Sequence, residues 1–402
     1  MDLILEPTLL HGTVSAIASK SAAHRILLAA ALSHSSTTLE HLDLSNDILA
    51  TMQCLESMGA SIHRSNLEVK VIPGDFQKKC ILPCRESGTT LRFLLPVVAA
   101  LGLQGDFILE SRLPKRPLWP LDQELERHGV TLLRPYEGCL QVRGTLSAGD
   151  YVLPGNVSSQ FISGLLFALP LLKEKSTLTI IGELQSAPYV NLTRNILNQF
   201  GIPVLFKDNV FQIQPGTYSG KEAMQVEGDW SNAAFWFTAA HLGSAVTVTG
   251  LQRDSAQGDC AIVSLLSNLG GSAEIDASQI PDLIPILAVA AANATGETRF
   301  VHAGRLRLKE SDRIESVCHL INRLGGRAVS SSDSLTIYGT GLQGGVVHTF
   351  GDHRIAMAGA IAATVCKSPV TILDSQVVEK SYPHFWKDYQ YLGGKIKECS
   401  HE

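Results

Sequence analysis

Apolar positions along this chain fall into two alternating kinds of helix. One kind opens on a small polar cluster and is then apolar almost all round: SKSAAHRILLAAAL, SGTTLRFLLPVVAAL, SSQFISGLLFALPLL, WSNAAFWFTAAHL, PDLIPILAVAAANA and DHRIAMAGAIAATV. A helix without a polar face belongs at the centre of a domain. The other kind is leucine- or aromatic-rich and ends at a glycine: CLESMGA, ELERHGV, ILNQFGI, LLSNLGG, LINRLGG and YQYLGGK. Glycine just past the last apolar turn takes a left-handed conformation without a Cβ penalty, so each predicts a helix C-terminus. Between the two kinds lie β-rich segments such as STLTII, SAVTVTG, ETRFVHA and SPVTIL, with LEVKVI, VFQIQP and SLTIYG after the second helix.

The terminal glycines are Gly59, Gly129, Gly201, Gly270, Gly325 and Gly393, spaced by 70, 72, 69, 55 and 68 residues. Six copies in fixed order define an internal repeat of strand, helix, strand, helix, strand. Three copies per domain predict two domains, with the break near YSGKEAMQVEGDW. The expected division is 13–224 for the first and 1–12 plus 225–402 for the second. The first dozen residues can extend a sheet in either.

Composition narrows the partners. With 402 residues, 45% of them hydrophobic, the chain can bury a large core, and its formal charge of -5 argues against nucleic-acid binding. MDLILEP lacks the basic start and apolar stretch of a secretory signal. LRFLLPVVAALGLQG is interrupted by Arg92 and Pro96 and falls short of a membrane span. Eight scattered cysteines without a CxxC read as reduced thiols of a cytosolic protein, not as a metal site.

The polar heads carry the candidate chemistry. Helix N-termini present unpaired N–H groups that bind anions, and the six heads occupy one phase of the repeat. Repeats packed about a local three-fold axis bring three such ends together in each domain, and two such faces opposed make a positive cleft. Cations recur at the heads and in the segments after the next strand: Lys20, Arg25, Arg116, Lys309, Arg313, Arg354 and Lys380. In an acidic protein this clustering points to a small polyanion such as a phosphate or carboxylate. Asp282 and Glu310 lie among them. Asp282 reads equally as a helix N-cap, and Glu310 as a neutraliser of Lys309 or Arg313; both are also placed to carry protons beside bound anions. Ser158, Ser159 and Gln160 suit either capping or hydroxyl and phosphate binding. Gly88 suits either a ligand approaching the backbone or a tight turn. No dinucleotide or P-loop fingerprint occurs.

The segments SKSAAHR, ESGTTLR, SSQFISGLL, PDLIPILAVAA, RLKESDR, DHRIAMA and EKSYP resemble, in order, the signatures of the 5-enolpyruvylshikimate-3-phosphate synthase family. The resemblance runs from residue 19 to about 385. It implies a two-domain inside-out α/β barrel, each domain built of three βαβαββ repeats around buried helices and closing on the substrates. It implies transfer of the enolpyruvyl group of phosphoenolpyruvate to the 5-hydroxyl of shikimate 3-phosphate, with no cofactor or metal, by a cytoplasmic monomer. By motif, Lys20, Ser21, Arg25, Ser158, Ser159, Gln160, Ser186, Asp282, Arg305 and Lys309 would hold shikimate 3-phosphate. Lys20, Gly88, Arg116, Gln160, Arg313, Arg354 and Lys380 would hold phosphoenolpyruvate. Lys20, Asp282 and Glu310 would be catalytic.

Four positions depart from the family pattern. Ile17-Ala18 replaces Pro-Gly, and Glu86-Ser87-Gly88-Thr89 replaces Asn-Ala-Gly-Thr. Arg305 stands for an Asn and Ala187 for a Lys. Glu86 would repel an anion unless paired with a cation such as Arg116. Two rivals stand beside this reading. The related transferase acting on UDP-N-acetylglucosamine is expected to show Lys-Asn at Lys20-Ser21 and a Cys in the loop LESRLPKRP, and neither occurs. A non-catalytic scaffold binding a phosphorylated partner would have no need of Asp282 and Glu310.

Overall fold

The computed structural model describes residues 1–399. Twelve α-helices occur among them: α1 (Lys20–Leu32), α2 (Asn46–Met58), α3 (Gly88–Ala100), α4 (Leu121–Arg127), α5 (Ser159–Ala168), α6 (Ala187–Gln199), α7 (Trp230–His241), α8 (Ile262–Ser267), α9 (Ile284–Asn293), α10 (Arg313–Arg323), α11 (His353–Ala363) and α12 (Phe385–Tyr391). The odd-numbered helices are the polar-headed ones and the even-numbered helices end at the six glycines. Five of the six heads are true caps. Ser19, Ser87, Ser158, Asp229 and Asp352 each accept a backbone N–H from the first turn of α1, α3, α5, α7 and α11. At the other ends all six glycines have positive φ, as at Gly201 (80°), which follows the C-cap Phe200 of α6.

The odd helices form the centres. Eleven of the thirteen residues of α1, and all eleven of α11, are buried. Contact between α3 and α5 is close enough that a Cβ on Gly164 would lie 2.3 Å from the Arg92 carbonyl oxygen. Sheets lie outside these helices. In spatial order Lys79–Arg85, Gln104–Leu109, Cys139–Gly144 and Val130–Leu133 form one sheet, its first pair parallel and the rest antiparallel. The same order recurs in the sheets built on Asp150–Pro154 and on Gly271–Asp276. Strand, core helix, parallel strand, outer helix and hairpin therefore make the βαβαββ unit.

One copy breaks the expected pattern of three such units per domain. After α8 the chain enters Gly271–Asp276, already the first strand of copy five, so copy four has no hairpin of its own. Its sheet has two strands, His11–Ser15 parallel to Ala245–Thr249. The missing hairpin explains why Gly270 and Gly325 stand only 55 residues apart. No sheet closes into a barrel among the described residues; the sheets remain separate around the helices.

The chain divides into two compact units, Ala18–Glu227 and Met1–Ile17 with the chain from Gly228 onward. The switch points lie a few residues beyond those expected, because strand pairing decides them. His11–Ser15 pairs with Ala245–Thr249, and Leu3–Glu6 inserts between Val370–Leu373 and Lys395–Glu398. Ala223–Gln225 instead completes the sheet of copy one beside Thr37–Glu40. No helix among the described residues is long and apolar enough to cross a membrane.

Candidate active site

In the Ala18–Glu227 unit the head of α1 carries two cations in different surroundings. Lys20, the first helical residue, donates to Asp47 Oδ2 of α2 at 2.9 Å. The preceding Ala18 enters the helix with its N–H given to Asp43 at 2.8 Å. Arg25 is 3% exposed, and every hydrogen bond it makes goes to a neutral oxygen. Nε donates to Thr193 Oγ1 at 2.7 Å, Nη1 to the Ser21 carbonyl at 2.7 Å, and Nη2 to the Tyr189 carbonyl at 3.0 Å. Its guanidinium also lies 5.0 Å from the Phe93 ring centroid. Burial pushes Arg25 down to about 9, which leaves it cationic at neutral pH. Ser186, fully buried with left-handed backbone (φ 53°), begins α6, whose first turn supplies Tyr189.

A second group gathers at the heads of α3 and α5. Gly88 is the first residue of α3, and its φ is not positive. A Cβ there would lie 2.8 Å from Arg116 Nη1 and 3.1 Å from Arg92 Nη1. The tight-turn reading of Gly88 therefore fails, and the close neighbours are guanidinium groups. Gln160 spans the gap, its Oε1 accepting from Arg92 Nη1 at 2.7 Å and its Nε2 donating to Thr89 Oγ1 at 2.8 Å. Ser158 caps α5 and Ser159 is buried behind it. Glu86 is exposed and accepts the Ser111 hydroxyl.

In the other unit the acid and base candidates converge on one guanidinium. Arg313, 1% exposed at the start of α10, donates to Asp282 Oδ1 at 2.6 Å, Glu310 Oε2 at 2.9 Å and Asp352 Oδ2 at 2.8 Å. Arg354 Nη2 lies 3.3 Å from Asp282 Oδ2 and donates to Ser231 Oγ at 2.7 Å. Lys309 Nζ reaches Asp282 at 3.5 Å. Three cations thus face three carboxylates. Asp282 and Glu310 are expected among these cations from the sequence; Asp352 is the third carboxylate, and it completes the balance. Asp282 is not an N-cap, since Leu283 holds that position in α9.

These charges set the acidities. Burial acts to raise Asp282, but Arg354, Lys309 and Arg313 outweigh it and hold the carboxyl well below the usual range. Burial pushes Lys309 down to about 8, and Arg313 and Arg305 add to the effect while Asp282 opposes it. Lys380 lies buried at the end of the 3-10 turn Ser375–Lys380, which packs against α11. Among the described residues no group of three or more His, Cys, Asp or Glu is placed to hold a metal ion.

Sequence reasoning missed Asp47, Arg92, Ser231 and Asp352. Asp352 lay within the quoted DHR, where it reads as an ordinary cap. It is a cap, and it also takes Ser311 Oγ at 3.1 Å as well as Arg313.

Comparison with known proteins identifies the family. The solved enolpyruvyl transferase NikO of Streptomyces tendae superposes with a TM-score of 0.80 at 18% identity, over 100% of this chain and 99% of the other, and so shares the fold. A family profile described as EPSP synthase (3-phosphoshikimate 1-carboxyvinyltransferase) matches residues 4–389. A 3-phosphoshikimate 1-carboxyvinyltransferase of Clostridium kluyveri is 39% identical, covering 98% of each chain. Its counterpart from Clostridium perfringens is 40% identical over 98% of this chain and 99% of that one. The solved EPSP synthase of Acinetobacter baumannii superposes with a TM-score of 0.80 at 23% identity, over 99% of this chain and 100% of the other. The chain belongs to the EPSP synthase family.

Proposed function

We infer that this chain performs the reaction after which its family is named. It transfers the enolpyruvyl group of phosphoenolpyruvate to the 5-hydroxyl of shikimate 3-phosphate and releases phosphate, a step of aromatic amino-acid biosynthesis. The observation that supports it best is the Asp282–Arg313–Glu310 constellation, two carboxylates held on one buried guanidinium among further cations.

The residues divide the work by chemistry. Lys20, Ser21, Arg25, Ser158, Ser159, Gln160, Ser186, Asp282, Arg305 and Lys309 serve shikimate 3-phosphate. Arg25 suits its phosphate because, among the described residues, its hydrogen bonds all go to neutral oxygens. Lys20, Gly88, Arg116, Gln160, Arg313, Arg354 and Lys380 serve phosphoenolpyruvate. Glu310 delivers a proton to the methylene carbon, and cationic character grows on the adjacent carbon. The 5-hydroxyl attacks there as Asp282 takes its proton. Phosphate then leaves the tetrahedral adduct while a methyl proton returns to the base, restoring the double bond. Asp282 is a weak base while three cations hold it. Substrate oxyanions that engage Arg354 and Lys309 loosen that hold and raise its basicity. The chain acts as a cytoplasmic monomer in this reading.

The test is phosphate release by the purified chain with shikimate 3-phosphate or UDP-N-acetylglucosamine as acceptor, beside Asp282→Asn and Glu310→Gln. Turnover with the first acceptor alone is expected, falling by about 10²–10⁴ in each variant. Preference for the nucleotide sugar overturns the acceptor. Near-normal turnover in folded variants overturns the proton roles.

A further inference from the structure

Arg307 lies outside every substrate contact assigned above, yet it makes four hydrogen bonds in three directions. It sits in the 3-10 turn Gly304–Leu308, just before the loop that carries Lys309 and Glu310. Nη1 donates to Asp312 Oδ2 at 2.7 Å and to Glu315 Oε1 at 3.1 Å. Nε donates to the Ser332 carbonyl at 3.1 Å, and Nη2 to the Ser331 carbonyl at 2.5 Å. Asp312 is the N-cap of α10, accepting the Glu315 N–H at 3.2 Å, and the next residue is Arg313. The pair between residues 307 and 312 therefore closes a short ring of chain. Leu308, Lys309, Glu310 and Ser311 are its contents. On the far side, the hairpin turn holding Ser331 and Ser332 grips the same 3-10 turn, because Asp333 accepts the Gly304 N–H at 2.5 Å.

We propose that Arg307 is a positioning residue that fixes the loop bearing Glu310 for proton transfer, by tying its two ends to each other and to the adjacent hairpin. The inference rests on the proton role given to Glu310. A planar guanidinium can address a carboxylate and two carbonyls at once, which an ammonium cannot do with the same geometry. Arg307 and Asp312 are each about a third exposed, so their attraction adds little to global stability. The value of the contact lies in alignment. Proton transfer is intolerant of misplacement, and a shift of about 1 Å in a reacting group costs about 10²-fold in rate.

The experiment compares steady-state kinetics and melting of the full chain as wild type, Arg307→Gln, Arg307→Lys, Glu310→Gln and the double variant Arg307→Gln/Glu310→Gln. Arg307→Gln is expected to lose about 10²-fold in kcat, with KM for both substrates and the melting temperature little changed. Arg307→Lys keeps the Asp312 pair without the carbonyl contacts and is expected to fall between. The double variant is expected to be no slower than Glu310→Gln alone, since nothing remains to be aimed. Unchanged kcat in Arg307→Gln, or the same fold loss on the Glu310→Gln background as on wild type, overturns the inference. Should Arg307→Gln not fold, wild-type kcat in Arg307→Lys overturns it instead. Normal turnover in Glu310→Gln is a separate result and sinks the proton role beneath it.

Discussion

Asp352 accepts from Arg313 Nε at 2.8 Å while capping α11 through the Arg354 N–H at 3.0 Å. One wholly buried carboxylate thus sets both guanidinium groups that face Asp282. It orients Arg313 through a side-chain pair and Arg354 through the helix start. The geometry of the candidate site in this unit is therefore built on a residue to which no proton role is assigned.

Removing that carboxylate strands a buried guanidinium. Taking away one partner of a buried, hydrogen-bonded ion pair costs about 3–5 kcal/mol. Asp352→Ala is expected to show a loss of that order in chemical denaturation. A loss below about 1 kcal/mol, the range of an exposed pair, would mean that Arg313 is held well enough by Asp282 and Glu310 alone.

The same carboxylates predict how acid acts. Burial tends to raise Asp352, but Arg313 and His353 outweigh it, and Asp282 is likewise lowered by its cations. A native group lowered from 3.8 means the unfolded chain binds protons first as pH falls. The stabilisation is complete above that value and is lost progressively below it. The fall in melting temperature below about pH 4 is expected to be shallower in Asp282→Asn than in wild type. Equal slopes would show that Asp282 carries no such linkage.

Much of this was legible in the sequence, for a physical reason. A wholly buried helix must be apolar all round and usually caps its own N-terminus, as five of the six central helices do with a side chain, and a helix that stops must usually leave a left-handed residue behind. Both requirements write themselves locally, which is why α1 through α12 follow the pattern of heads and glycines. The missing hairpin of copy four also left a mark, the short spacing before Gly325. Counter-ions leave no such mark. Asp47 and Lys20 lie 27 residues apart and meet only because α2 packs on α1. An acid in the first turn of a helix looks ordinary, whichever cation it meets across the core. The sequence therefore showed the cations and the nearby Glu310, but not the distant partners Asp47 and Asp352.

Gly88 gives a steric prediction. An added methyl would sit 2.8 Å from Arg116 Nη1 and 3.1 Å from Arg92 Nη1, so the guanidinium of Arg116 must shift. Overpacking of this kind costs about 1–3 kcal/mol, or about 5- to 150-fold in affinity. In Gly88→Ala the KM for phosphoenolpyruvate is expected to rise within that range while that for shikimate 3-phosphate changes little. A rise in both equally would place Arg116 outside the phosphoenolpyruvate site.

Lys309 connects affinity to alkaline pH. Burial has brought its ammonium from 10.5 down to about 8, so in the free enzyme it loses its charge soon above neutrality. An ammonium that loses its proton loses its attraction for a phosphate or carboxylate oxygen, whereas a guanidinium at the same place keeps its charge. In the proposed role, bound shikimate 3-phosphate would raise the same group back up, so the effect belongs to kcat/KM and to the dissociation constant and not to kcat at saturation. Calorimetric binding is therefore expected to weaken as pH rises through about 8 in wild type. In Lys309→Arg the affinity is lower throughout because the fork does not fit, but its alkaline loss is delayed from about 8 to about 9, where Arg25 loses its charge. A wild-type profile flat to pH 10, or a Lys309→Arg profile that still bends near 8, would assign the alkaline limb to another group.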